Sequence, residues 1–157
     1  MLRLLSTVAA AALLLALAWS NWPGARSGAR LIGGPFALQG AGDKKVTDAD
    51  FKGHPFLVYF GYTHCPDVCP TTLAKIAEAL RRLPATKPKV AFITVDPDRD
   101  TPALMSDYVS SFGPDFVGLS GSSEAVAAAL KAFRVAAKKA PVRSPENMRW
   151  ITQTSSI

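Results

Sequence analysis

A chain of 157 residues and 16.7 kDa, 48% hydrophobic and 19% charged, has the size of one small domain. Its composition is that of neither a disordered chain nor a polytopic membrane protein. Two cysteines are too few for a disulfide-stapled mini-scaffold or a four-cysteine zinc site. The net charge of +6 is spread along the chain in runs no longer than pairs such as Arg81-Arg82 and Lys138-Lys139, a pattern that supplies solubility and leaves no nucleic-acid footprint.

Residues 4–19 are apolar apart from Ser6 and Thr7. Continued through Trp22, the run approaches the roughly 20 residues that span a bilayer, with Trp19 and Trp22 placed for an interface. Residues 1–22 are expected to be a membrane anchor or a signal segment, since Ala16-Leu17-Ala18 also offers a small-x-small cleavage site. Either way the domain that follows is exported. Residues 23–30 carry Pro23, Gly24, Ser27 and Gly28 and read as a linker to a domain over 31–157.

Within that domain, residues 32–39 and 44–46 flank Gly40-Ala41-Gly42-Asp43 and predict an N-terminal hairpin. Residues 55–60 form a nearly continuous apolar run, the pattern of a strand buried on both faces, and so predict a central strand. Leu73, Ile76, Ala77, Leu80 and Leu83 follow at helical spacing over 70–83, with Pro70 in the first turn and Pro84 as the stop. Residues 90–95 are a second strand. Thr101 is a helix cap with Pro102 behind it, and Leu104, Met105, Tyr108, Val109 and Phe112 form that helix's apolar face. Residues 116–119 are a third strand, and Ser122 or Ser123 caps a last helix carrying Val126, Ala129, Leu130 and Phe133. Strands alternating with helices at these lengths imply a largely parallel sheet flanked by helices, an α/β fold. Met105 and Phe133 read as core.

Both cysteines lie in Phe60-Gly61-Tyr62-Thr63-His64-Cys65-Pro66-Asp67-Val68-Cys69-Pro70, which leads from the first buried strand into the first helix. Ligands and reactive groups gather at such carboxyl-end loops, and a helix N-terminus favours a thiolate. Three readings stay open from the residues alone. A redox dithiol normally leaves two residues between its cysteines where this chain has three. A soft-metal site needs two thiolates near one ion, and thiolates select Cu(I) over hard cations. Two inert cysteines would suit a packed element better than a loop shaped by Pro66, Asp67 and Pro70. Asp96, Asp98, Arg99 and Asp100 lack a second acidic cluster for a hard metal. They read instead as an Arg99 ion pair with Asp100 or Thr101 opening a helix. His64 reads as a loop hydrogen-bonding residue and His54 as a solvated turn residue.

Across residues 31–134 the sequence resembles the Sco/SenC family of copper-binding proteins that assemble cytochrome c oxidase. The resemblance rests on Ile32-Gly33-Gly34-Pro35-Phe36, the run from Tyr59 to Pro70, Val95-Asp96-Pro97-Asp98-Arg99-Asp100-Thr101-Pro102 and Phe116-Val117-Gly118-Leu119-Ser120-Gly121. It implies a thioredoxin-like fold, Cys65 and Cys69 as Cu(I) ligands and as a redox-active pair, and an N-terminal anchor with the domain outside the cytoplasm. The implied work is that of a metallochaperone more than an enzyme: delivery of copper to the binuclear centre of a cytochrome c oxidase subunit, alongside other copper chaperones. A thiol-disulfide oxidoreductase acting on that subunit's cysteines, or a non-functional fragment, are the alternatives.

The family's third ligand, a histidine in a Val-Asp-His segment, has no counterpart where this chain reads Glu146-Asn147-Met148-Arg149-Trp150-Ile151-Thr152. Regrouping one possible coding of Met148 to Thr152 by a single base gives Tyr-Ala-Val-Asp-His. The expectation is therefore a truncated or frame-disrupted C-terminus that lacks the family's final strands.

Overall fold

The computed structural model describes residues 33–84, 86–139 and 150–154. The expected leader and linker lie outside them, as does residue 146–149 of the segment compared with the family's histidine motif. Among the described residues no helix is long and apolar enough to cross a membrane.

The domain begins with an antiparallel hairpin, β1 (Ala37–Gln39) and β2 (Lys45–Thr47), in which Leu38 lies opposite Val46. Three parallel strands follow, β3 (Phe56–Gly61), β4 (Lys89–Thr94) and β5 (Phe116–Leu119), in the spatial order β3-β4-β5. The crossovers are α1 (Val68–Arg81) and α2 (Pro102–Ser110), and α3 (Ser123–Ala132) comes after β5. This is the α/β arrangement that the alternating pattern implies, and it is the thioredoxin-like fold that the family resemblance implies. Two further strands, β6 (Val135–Lys139) and β7 (Trp150–Thr154), pair antiparallel with Ala137 opposite Thr152.

Side chains alternate across the parallel sheet because a strand repeats every two residues. Val90 and Phe92 of β4 and Phe116 of β5 join Leu73, Ala77 and Leu80 of α1 and Met105 and Val109 of α2 in one core. On the opposite face, Ala91, Ile93 and Leu119 pack with Phe36 and Leu38 of the hairpin region and with Val126 and Ala129 of α3. Helix α2 lies so close to β5 that any side chain at Gly118 would run into the Met105 carbonyl. The caps are those expected: the Thr101 hydroxyl accepts from the Leu104 N–H at 3.2 Å, and the Ser122 hydroxyl accepts from the Ala125 N–H at 3.2 Å.

One sequence expectation is corrected. Among the described strands the central one is β4, whose Val90, Ala91, Phe92 and Ile93 are fully buried, whereas β3 pairs on one side only and leaves Leu57 44% exposed. The apolar run in β3 reports a strand covered by helices. It carries no information about how many strands sit beside it.

Candidate functional site

Strand β3 ends at Gly61, and seven residues later α1 begins. The turn between them is held at its base by the Cys65 N–H donating to the Tyr62 carbonyl at 3.3 Å. Helix α1 opens at Val68, two residues before Pro70, so Cys69 sits inside its first turn and Cys65 one turn earlier. That spacing lets the Cys69 N–H donate to the Cys65 sulfur at 3.4 Å. Both thiols are free, Cys65 partly exposed and Cys69 buried. Cys65 thus lies in the loop shaped by Pro66 and Asp67, whereas Cys69 is buried in a helix that begins two residues before Pro70.

The two sulfurs have unlike surroundings. Burial works against a Cys65 thiolate, but hydrogen bonds from the Cys69 N–H and thiol and from the Asp67 and Val68 N–H groups outweigh it and hold the Cys65 pKa below the usual 9.0. Burial pushes the Cys69 thiol up to about 11. The Tyr62 N–H and the Tyr59 hydroxyl, which favour its thiolate, do not overcome burial and the neighbouring Cys65. The ring of amide donors around one sulfur is the local consequence of a helix N-terminus.

Room for the buried sulfur comes from Gly61. A Cβ there would lie 2.9 Å from the Cys69 sulfur and 2.7 Å from the edge of the Phe92 ring. Phe92 stacks with both Tyr59 and Tyr108, the ring centroids 5.7 Å apart in each pair. Burial raises both tyrosines to about 12, with further upward contributions from both cysteines. Thr72 works against the rise at Tyr59, and the buried Tyr108 hydroxyl has no hydrogen-bond partner among the described residues.

The loop is fixed from the other side by a buried carboxylate. Asp100 is fully buried and accepts from the Thr63 N–H at 3.0 Å, the Thr63 hydroxyl at 2.6 Å and the Thr94 hydroxyl at 2.7 Å. The Ser120 hydroxyl donates to the Asp100 carbonyl, and the Ser120 backbone exchanges hydrogen bonds with Gln39 of β1 at 2.7 and 2.9 Å. The sequence reading offered Asp100 or Thr101 as the opener of α2. Thr101 does that work, and Asp100 reaches back 37 residues to Thr63. Arg99 pairs with Asp96 as expected, and His64 bonds through Nδ1 to the Thr63 hydroxyl at 3.0 Å, also as expected. His54 is exposed. Among the described residues no three His, Cys, Asp or Glu side chains converge as a ready metal cage. Two soft thiolates one helical turn apart suit a monovalent soft ion such as Cu(I), which accepts two ligands.

The SCO1/SenC family profile matches residues 24–157. The chain belongs to the SCO1/SenC family. It is 42% identical over 112 residues to the human protein SCO1 homolog, mitochondrial, a match covering 69% of this chain and 37% of that protein. The chain spans from 34% to 52% of the length of the first curated relatives it matches. Among solved structures, Bradyrhizobium japonicum ScoI with copper bound superposes with a TM-score of 0.71 at 48% identity, covering 79% of this chain and 80% of that one. Arabidopsis thaliana ScoI with copper bound gives a TM-score of 0.73 at 35% identity, covering 79% and 78%.

Sequence reasoning found the cysteines because a Cys-x3-Cys turn between a strand and a helix is a local pattern. It missed the roles of Gly61, Tyr59, Tyr108 and Asp100. Each acts through a partner distant in sequence, and no spacing signals such a pairing.

Proposed function

We propose that this chain is a copper chaperone of the oxidase-assembly type, holding Cu(I) on the thiolates of Cys65 and Cys69 and passing it to the copper-bearing subunit of cytochrome c oxidase from a membrane-anchored, extracytoplasmic position. The observation that carries the reading is the juxtaposition of two free thiols at the start of α1, Cys65 in the preceding loop and Cys69 in the first turn, with the Cys69 amide donating to the Cys65 sulfur at 3.4 Å. Copper-bound relatives of the same fold support it. Binding two thiols to one Cu(I) releases two protons and leaves a singly negative bis-thiolate. The amide donors around Cys65 favour that charge.

An anaerobic Cu(I) titration of the reduced chain against a competing chelator tests this. One tightly held Cu(I) per chain, lost in both Cys65→Ser and Cys69→Ser, is expected. Retention of tight binding in either variant would overturn the ligand assignment.

The unequal exposure of the two sulfurs favours a second reading, a thiol-disulfide oxidoreductase. The Cys65 thiolate would attack a partner's disulfide and expel one partner thiolate. The Cys69 thiolate would then displace the second, so that the partner gains two electrons and the chain keeps a Cys65–Cys69 disulfide. Weak Cu(I) binding together with a reducing potential for the pair would select this reading.

A further inference from the structure

The end of the sheet opposite the thiols holds a cavity of about 200 Å³. It lies between the loop that enters β3 at Phe56 and the loop that enters β4 at Lys89, whereas both cysteines follow the far end of β3. Phe51, Pro55 and Phe56 give it an apolar wall, the two phenyl rings stacked with centroids 4.7 Å apart. The rest of the lining is rich in donors: the His54 ring, the Thr86 hydroxyl and the ammonium groups of Lys87 and Lys89. An ammonium carries three N–H donors. Lys89 gives one to the Asp115 carboxylate at 3.0 Å and one to the Pro114 carbonyl at 3.2 Å, and keeps the third. Lys87 is half-buried, and among the described residues no carboxylate lies within ion-pair distance of it or of His54. The one acid in the lining, Asp50, has its Oδ2 committed to the Thr47 N–H at 2.7 Å and the Thr47 hydroxyl at 2.9 Å. Two ammonium groups therefore outweigh one carboxylate, and the cavity has more donors than acceptors to meet them.

We propose that this cavity binds a phosphate ester, its phosphate oxygens held by Lys87, Lys89, His54 and Thr86 and a short apolar substituent covered by the Phe51–Phe56 wall. A phosphate fits the donor set because its three terminal oxygens accept from donors arriving on both loops, and bonds from an ammonium to an anion are the strong kind. The apolar wall adds a reason for an ester over the bare ion, since a phosphate group fills only part of the space. A soluble phosphomonoester and the phosphate of a lipid headgroup share this chemistry. The site is independent of the copper reading, because the length of β3 separates it from the thiol loop.

Pulsed acetylation of the full chain in non-ionic micelles, read lysine by lysine by mass spectrometry, tests the site with phenyl phosphate as the probe. Lys87 and Lys89 should be acetylated about threefold more slowly once two thirds of the sites are filled, while Lys75, on the exposed face of α1, keeps its rate. Phenol at the same concentration should protect neither. In Lys87→Gln, protection of Lys89 should need about tenfold more phenyl phosphate, the worth of one hydrogen bond to a charged group, with Cu(I) affinity unchanged. A parallel arm places the full chain in phosphatidylglycerol vesicles: protection of Lys87 there and not by phenyl phosphate assigns the site to a lipid headgroup, and the reverse assigns it to a soluble ester. Protection in neither arm, slowing of Lys75 to the same degree, or equal protection by phenol would overturn the proposal.

Discussion

Gly61 and Cys69 share a space that has room for only one side chain: a methyl group on residue 61 would stand 2.9 Å from the Cys69 sulfur. Eight positions apart in sequence, the two residues meet because the chain turns from β3 into α1 and brings the helix's first turn back over the strand's end. The absence of a side chain at one position thus sets the location of a sulfur at the other.

Gly61→Ala should accordingly be one of the more damaging small substitutions in the chain. The sulfur and the Phe92 ring must both shift, and overpacking of this kind costs about 1–3 kcal/mol. Chemical denaturation should show a loss in that range, and peptide mapping after brief alkylation should show Cys69 modified faster than in wild type. Unchanged stability and unchanged Cys69 labelling would contradict the crowding.

The two thiols should titrate apart. Cys65, with its pKa held below 9.0, should be alkylated at lower pH than an ordinary thiol, while Cys69, raised to about 11 and buried, should lag behind it. Pulsed alkylation followed by mass spectrometry across this range measures both. Faster reaction at Cys69 would show that burial does not govern the pair.

The same shifts set an alkaline limit on stability. Cys69, Tyr59 and Tyr108 all have folded-state pKa values above their ordinary ones, so each contributes stability that is full below its unfolded pKa and lost as pH rises through the folded value. The window opens near 9.0 for Cys69 and near 10.0 for the tyrosines, and closes at about 11 and about 12. Cys65 acts in the opposite sense, adding stability as pH rises past its depressed value. Urea midpoints should fall through the upper window, and the fall should be shallower in Tyr108→Phe.

Asp100→Ala should unsettle the cysteine loop from a distance. It leaves the Thr63 amide, the Thr63 hydroxyl and the Thr94 hydroxyl without their acceptor. The Thr94 hydroxyl is buried and the Thr63 donors part-buried, so at about 1–3 kcal/mol for a stranded buried donor the loss should be at least of that size. A control of known scale is Ser122→Ala, which removes the cap of α3 and should cost about 1 kcal/mol while leaving Cu(I) affinity unchanged.

The fold was legible wherever local periodicity and tertiary burial agree. The stripe Leu73, Ala77 and Leu80 and the caps at Thr101 and Ser122 depend only on residues within a turn or two, and the structure places them as the pattern implies. Where an element owes its state to a distant partner the sequence was silent. Val135–Lys139 reads Val-Ala-Ala-Lys-Lys, without the alternation of a half-buried strand, and becomes β6 through pairing with β7. The central place of β4 likewise depends on β5, which follows more than twenty residues later. At the site, the thiols were visible as a motif, but the fully buried Asp100 looked like one more acidic residue in a charged turn.

Four residues join the N-terminal hairpin to the thiol loop in an unbroken hydrogen-bonded series: Gln39 to Ser120, Ser120 to Asp100, and Asp100 to Thr63, two positions before Cys65. The hairpin is thereby a tie-beam for the site and not merely an ornament on the sheet. A change that frays β1 slackens Ser120, then Asp100, and finally the loop that carries the sulfurs. Substitutions expected to disturb the thiol loop are therefore not confined to the cysteines. They extend to a segment some twenty-five residues upstream that touches neither sulfur.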